Sequence, residues 1–349
     1  MVLMKPAVLY QQLPQNRIQC QACAWQCNIA PGQTGVCGVR LNQNGKLYLT
    51  VYGQAVGLHL DPVEKKPLFH FLPGTTALSF GTVGCDFGCL FCQNWSMSQA
   101  PKGKPDQLQD IIAAQSETWS PQQIVAKAMA LGARSIAYTY NEPAIFVEYA
   151  HDTAVLAKKQ GLKNIFVSNG YESVESLDYM EHLLDAINID IKSFSEAFYR
   201  QYCRAKLQPV LDTIKRVFKR KIHLELTTLV IPGKNDSVKE LTAIANFIKQ
   251  ISPHIPWHVT AFHPDYLMAD VPPTSPKTLV KAWNIGRKAG LNYVYLGNIS
   301  DSDRATTNCP HCHQALIKRF WHQTHILANF DTASGQCPHC GTAIAGIWN

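Results

Sequence analysis

The sequence predicts an α/β protein built on a parallel sheet, flat or curled. Segments rich in Ile, Val, Leu and aromatics recur at 77–83, 135–140, 164–169, 186–192, 223–231, 257–262 and 292–299. Helical patterns fall between them at 121–131, 144–160, 173–183, 209–220, 237–251 and 275–289. Alternation at this length specifies βα units, whose strands pair in parallel. The helices also carry start signals. Ser120 before Pro121, Asp236 before Ser237, and Ser275 before Pro276 supply a capping side chain or a first-turn proline.

At 349 residues the chain has room for one large α/β domain with appendages, or for two domains. Hydrophobic residues make up 46% and charged residues 16%, which excludes a disordered or fibrous protein. The net charge of +7 suits an anionic substrate or a nucleic acid and demands neither. No apolar run approaches the roughly 18 residues of a membrane span. Residues 1–10 carry no export pattern, so no membrane association and a cytoplasmic location are expected. No Walker loop, H-E-x-x-H helix or G-x-S-x-G elbow is present, so the commonest hydrolase readings lack support.

The strand segments end in polar residues: Tyr140-Asn141-Glu142, Ser168-Asn169-Gly170, Asp190-Ile191-Lys192, Thr227-Thr228 and His263. In βα barrels the loops at these ends build the site. Asn188, Asp190 and Lys192 alternate with Ile189 and Ile191, so the three polar residues share one face. Burying them without partners would cost on the order of a few kcal/mol per group, which favours a site over a solvated edge strand. Lys192 is a candidate catalytic group for a substrate carboxylate or phosphate; a salt bridge to Asp190 or Glu142 is the alternative. His258 and His263, on or just after the sixth strand segment, are candidate catalytic groups or, alternatively, structural histidines.

Twelve cysteines in a chain with no export pattern argue for metal rather than disulfides. Cys203 stands alone and reads as a small core residue. Cys85-x3-Cys89-x2-Cys92 supplies three thiolates where a cubane [4Fe–4S] cluster takes four, leaving one iron open. Cys309-x2-Cys312 and Cys337-x2-Cys340 read as a structural zinc site, with a two-disulfide module as the alternative. His311, His313, His322, His325 and His339 are competing imidazoles there. Cys20-x2-Cys23-x3-Cys27-x9-Cys37 fits structural zinc or a second [4Fe–4S] cluster, and Gly32, Gly35 and Gly38 suit a tight loop around either.

The run Gly81-Thr82-Val83-Gly84-Cys85-Asp86-Phe87-Gly88-Cys89-Leu90-Phe91-Cys92-Gln93-Asn94-Trp95, directly after the first strand segment, resembles the cluster loop of radical S-adenosylmethionine (SAM) enzymes. The resemblance implies that Phe91 shields the cluster and the SAM adenine. Thr139-Tyr140-Asn141-Glu142-Pro143 stands where that superfamily has a Gly-Gly-Glu-Pro-like motif. Asn141 and Glu142 are thereby expected near SAM, with Glu142 accepting from its amino group. Ser168-Asn169-Gly170 resembles the next motif, near the SAM ribose, and Asp190-Ile191-Lys192 resembles the Asp-x-Lys segment of glycyl-radical activases.

A wider match includes residues 61–74, Cys92-Gln93-Asn94-Trp95 and residues 257–266. It resembles the radical SAM member of the AmmeMemoRadiSam system, related to pyruvate formate-lyase activating enzymes. The implied architecture is a partial (β/α)6 TIM-like barrel at 74–300, with a Cys-rich region at 1–73 and a zinc-ribbon-like module at 301–349. The implied cofactors are a [4Fe–4S] cluster, SAM and zinc. The implied partners are a flavodoxin- or ferredoxin-like electron donor and proteins of the Memo and AMMECR types. The implied reaction is reductive cleavage of SAM followed by hydrogen abstraction from a substrate. The rival is a zinc-ribbon module that binds nucleic acid or protein, aided by positive charge. A middle reading is a radical SAM enzyme that modifies RNA.

Overall fold

The computed structural model describes residues 4–328 and 330–349. The chain forms two compact units. One holds the residues up to Asp61, Thr76–Asp185 and Cys203–Ala205; the other holds Pro62–Thr75, Ala186–Tyr202 and Lys206–Asn349.

In the first unit, Thr76–Gly81, Ser135–Tyr138 and Lys163–Ser168 pair in parallel, with Ser135 opposite Ala77 on one side and Lys163 on the other. Every residue of Ser135–Tyr138 is buried, as a strand covered on both faces requires. Helix Pro121–Ala130 begins as its sequence foretells. Ser120 Oγ accepts from Gln123 N at 3.3 Å, and the Gln123 side chain accepts from Ser120 N at 2.8 Å, closing a capping box. Helix Val147–Lys159 follows a 3₁₀ turn at Pro143–Phe146.

Two small antiparallel sheets precede these βα units. Lys5–Pro6, Lys46–Leu49 and Arg40–Gln43 make one; Tyr10–Gln12, Ile18–Cys20 and Asn28–Ile29 make the other. The hairpin between Arg40–Gln43 and Lys46–Leu49 turns at Asn44 (φ 51°) and Gly45 (φ 85°), the pair that a type I′ turn favours. Arg40 ties this sheet to helix Val147–Lys159, since both its terminal nitrogens lie 2.7 Å from the Glu148 carboxylate in a buried ion pair.

In the second unit, Ala186–Asp190, His223–Val230, Trp257–Ala261 and Val294–Gly297 pair in parallel in that order. Helices Leu207–Lys219, Val238–Ile251 and Pro276–Ala289 connect them. Ser237 and Ser275 cap the last two, accepting from Glu240 N and Thr278 N. Gly290 (φ 97°) ends the last helix in the left-handed conformation. A Cβ at Gly286 would lie 2.9 Å from Val294 and 3.0 Å from Trp257, so glycine sets how closely this helix packs on its strands.

The C-terminal segment adds antiparallel strands Thr307–Asn308, Ala315–Phe320 and Gln323–Ile326. Tyr293, Tyr295, Leu316, Ile317, Ile344 and Trp348 share one apolar cluster, which joins this segment to strand Val294–Gly297. Among the described residues no helix is long and apolar enough to cross a membrane.

Candidate active site and cysteine clusters

The loop from Gly81 to Cys92 leaves the strand Thr76–Gly81 in the first unit. Cys85 and Cys89 are each 8% exposed and Cys92 is more open. The loop has little room for side chains at its glycines. A Cβ at Gly84 (φ 91°) would lie 2.6 Å from Cys37 O, and one at Gly88 would lie 2.9 Å from Arg204. Asn141 spends its side chain on this loop, donating to Gly84 O at 2.8 Å and to Thr82 Oγ1 at 3.1 Å. Tyr140 stands where the resembling motif has a glycine and adopts the left-handed backbone a glycine would take (φ 70°). For a bulky residue that conformation costs on the order of 1–3 kcal/mol. Its hydroxyl donates to Asp61 at 3.0 Å, and its carbonyl accepts from Asn94 Nδ2 at 2.8 Å.

Glu142, fully buried, accepts from Ala144 N (3.1 Å), Ser168 Oγ (3.1 Å) and Asn169 N (2.7 Å). It therefore links the ends of two adjacent strands. Asn169 donates to Asp86 Oδ1 at 2.7 Å and stands 4.0 Å from Cys85 Sγ. Burial, together with the charges of Glu172 and Asp86, pushes the Glu142 carboxyl well up. Burial pushes Asp86 up and Glu172 up to about 7. The charges of Glu172 and Asp86 act on Glu142, so a cation bound nearby would favour the ionised carboxylates.

These residues fit a cluster-and-SAM site. Three thiols with too few ligands to close a cubane, a loop held at its glycines, and Asp86 Oδ2 buried without a hydrogen-bond partner leave chemistry for a bound cationic group to complete. Burial pushes the Cys85 thiol well up, so a metal is what would draw off its proton. Phe91 is 4% exposed, and Phe87 packs edge-on against Tyr171 at 4.9 Å.

Asp190, Lys192, His258 and His263 belong to the second unit. Lys192 Nζ donates to Asp190 at 2.8 Å. Asn188 is fully engaged: Nδ2 donates to Pro67 O at 2.8 Å, and Oδ1 accepts from Thr227 at 2.9 Å. His263 is exposed. His258 is 2% exposed and donates Nε2–H to Glu225 at 2.7 Å. Glu225, fully buried, also accepts from His223 Nε2 (3.0 Å), His70 N (2.7 Å) and Phe69 N (3.0 Å).

This network continues through His70. Its Nδ1–H donates to Ala345 O and its Nε2 accepts from Tyr295 O–H, each at 2.6 Å. Thr307 bridges Tyr295 to Arg319, whose guanidinium lies 4.2 Å over the Phe69 ring. Sequence reasoning missed Glu225, although His223, Glu225 and Thr227 alternate along one strand as Asn188 and Asp190 do. Asp86, Glu172 and Arg319 carry no comparable signal.

The C-terminal quartet converges. The Sγ atoms of Cys309, Cys312, Cys337 and Cys340 all lie within 4.8 Å of one another, with Cys309–Cys340 and Cys312–Cys337 each at 3.6 Å. Tetrahedral zinc with bonds of about 2.3 Å sets its sulfurs about 3.8 Å apart, so the quartet matches a single closed ion site. Hydrogen bonds from Thr342 hold the Cys340 thiol down to about 5. The five nearby histidines are exposed.

The radical SAM superfamily matches residues 80–248. An uncharacterized protein of Methanocaldococcus jannaschii is 40% identical over 318 residues, covering 91% of this chain and 92% of its own. A pyruvate formate-lyase-activating enzyme of Listeria monocytogenes is 22% identical over 177 residues, 48% of this chain and 67% of its own length. A crystal structure of a domain of pyruvate-formate lyase-activating enzyme from Bacteroides vulgatus aligns with a TM-score of 0.43 at 18% identity, covering 47% of this chain and 99% of that one.

Proposed function

This chain belongs to the radical SAM superfamily, and we propose that it is an activase-like enzyme whose Cys85, Cys89 and Cys92 hold the SAM-binding [4Fe–4S] cluster. The observation that carries the reading is the cluster loop itself. It follows a buried parallel strand, and Asn141 and Asn169 fasten it to the ends of the next two strands. When bound, the cluster and SAM supply one-electron cleavage of the sulfonium and a 5′-deoxyadenosyl radical that takes a hydrogen atom from the substrate.

The chain's own residues do the positioning. Glu142, with Glu172 and Asp86, offers negative charge to the cationic cofactor. Ser168 and Asn169 hold that carboxylate and the cluster loop in register. Phe91 and Phe87 keep water from the cysteines. Lys192, oriented by Asp190, would take a carboxylate or phosphate of the substrate, and His263 would face it. His258, buried and held by Glu225, fits the structural-histidine reading.

The proposal extends to a partial (β/α)6 barrel, zinc at the C-terminal quartet, a flavodoxin- or ferredoxin-like donor, and a cytoplasmic setting. The motifs at 61–74 and 257–266 support membership of the AmmeMemoRadiSam system, with Memo-like and AMMECR-like partners. Visible absorption of anaerobically purified protein tests the core of this reading. A brown chromophore that bleaches on reduction and weakens in Cys89→Ala is expected; colourless, zinc-only protein overturns it.

A further inference from the structure

Cys20, Cys23, Cys27 and Cys37 have no part in the reaction proposed above, yet they are built into one place. They come from the strand Ile18–Cys20, the loop that follows it, and the turn at 35–38. Cys20, Cys23 and Cys37 are buried, and Cys20 stands close enough to the other three to act on them electrostatically. Gly35 closes one side, where a Cβ would lie 3.6 Å from Cys27 Sγ and 3.3 Å from Ile29.

Arg40 supplies an independent sign of an anionic occupant. It is 1% exposed, and its terminal nitrogens are spent on Glu148 and on Ile145 O. Its Nε is buried without an acceptor, and Cys20 and Cys37, when ionised, act electrostatically on its guanidinium. A buried donor left unsatisfied costs about 1–3 kcal/mol. Thiolates or sulfides between these cysteines would remove that cost.

The spacing separates one ion from a cluster. Among the described residues, the C-terminal quartet is the only group of three or more such ligands drawn within 4.8 Å. No three of the N-terminal sulfurs lie within 4.8 Å of one another, nor do the three of Cys85, Cys89 and Cys92. A single zinc needs sulfurs about 3.8 Å apart. A cubane puts each thiolate on a different iron and needs the wider frame.

The set also abuts the cluster loop within the same unit. Trp25 donates to Asp86 O at 3.0 Å, Ala24 N donates to Tyr171 O at 2.8 Å, and Cys23 pairs with Glu172 in a β-bridge. Cys37 O is the atom that a side chain at Gly84 would strike.

We infer that Cys20, Cys23, Cys27 and Cys37 hold a second [4Fe–4S] cluster that relays one electron to the cluster at Cys85, Cys89 and Cys92. A flavodoxin- or ferredoxin-like reductant gives one electron to the second cluster, taking it from the 2+ to the 1+ state. Transfer returns it to 2+ and brings the first cluster to 1+, with no bond made and no proton moved. The relay rests on the function proposed above; the presence of the second cluster does not.

The test uses the full chain carrying Cys85→Ala, Cys89→Ala and Cys92→Ala, reconstituted anaerobically with iron and sulfide. About four irons per chain, with an electron-spin signal on reduction by dithionite, are expected; no bound iron overturns the inference whether or not the wild type cleaves SAM. If that variant does not fold, the wild type decides: about eight irons support a second cluster, and about four overturn it. For the relay, Cys20→Ala/Cys37→Ala should lose most of the rate at which reduced flavodoxin reduces the remaining cluster. An unchanged rate overturns the relay.

Discussion

Asn169 Nδ2 donates to Asp86 Oδ1 at 2.7 Å and so fastens the end of strand Lys163–Ser168 to the loop that carries Cys85. The same residue accepts from Tyr171 N and gives its own N–H to Glu142. Asn169 thereby sets the mutual positions of cluster loop, buried carboxyl and third strand, its side chain holding the loop and its backbone N–H the carboxyl. Asn169→Ala should weaken SAM binding about 10–100-fold, the usual scale for a residue that orients a metal site. SAM titration followed by electron-spin spectroscopy of the reduced cluster measures it.

Glu225 accepts four hydrogen bonds, from His223, His258, His70 N and Phe69 N, and removing it strands those donors. Glu225→Ala should cost about 3–5 kcal/mol of stability, the range for breaking a buried charged pair, read by urea unfolding. Burial alone would push this carboxyl up, but hydrogen bonds from His223 and His258 and their charge hold it well below the usual range. Its contribution is therefore fully present above the unfolded carboxylate value of about 4.3 and falls away as pH drops through its lowered folded value. In the Ala variant, unfolding should show a shallower loss of stability on acidification.

Arg40 and Glu148 form a buried pair in which each charge needs the other. Burial raises and the Arg40 charge lowers the Glu148 carboxyl, with a net depression. Arg40→Leu should destabilise by about 3–5 kcal/mol, whereas Arg40→Leu/Glu148→Leu should recover a large part of that loss. Denaturant melts of the two variants give the comparison.

The C-terminal quartet should hold one zinc. Cys337→Ser/Cys340→Ser should remove about one zinc per chain, the stoichiometry of a closed four-thiolate site. It should also lower the melting temperature, because Cys309 and Cys337 sit in the apolar cluster with Tyr295 and Trp348. Metal analysis and a thermal melt read both effects.

The seven strand segments and the serine caps were legible because period, proline and cap chemistry are local properties. Ser120, Ser237 and Ser275 each cap the helix they precede. The metal-ligand grouping was legible for the C-terminal quartet, whose thiols converge. The small N-terminal sheets were not foreseen, although Asn44-Gly45 between two alternating segments was their available signal. His258 illustrates the limit. Its strand position was correct, but its partner Glu225 lies 33 residues away on another strand, and only tertiary pairing reveals the bond. Asp86 and Arg40 escaped notice for the same reason.

Reductive cleavage of SAM is the most direct measurement. Anaerobically reconstituted wild type with dithionite and SAM should form 5′-deoxyadenosine and methionine in equal amounts, and Cys89→Ala should form neither. Absence of 5′-deoxyadenosine from wild type containing its cluster, or undiminished formation by Cys89→Ala, would contradict the assignment.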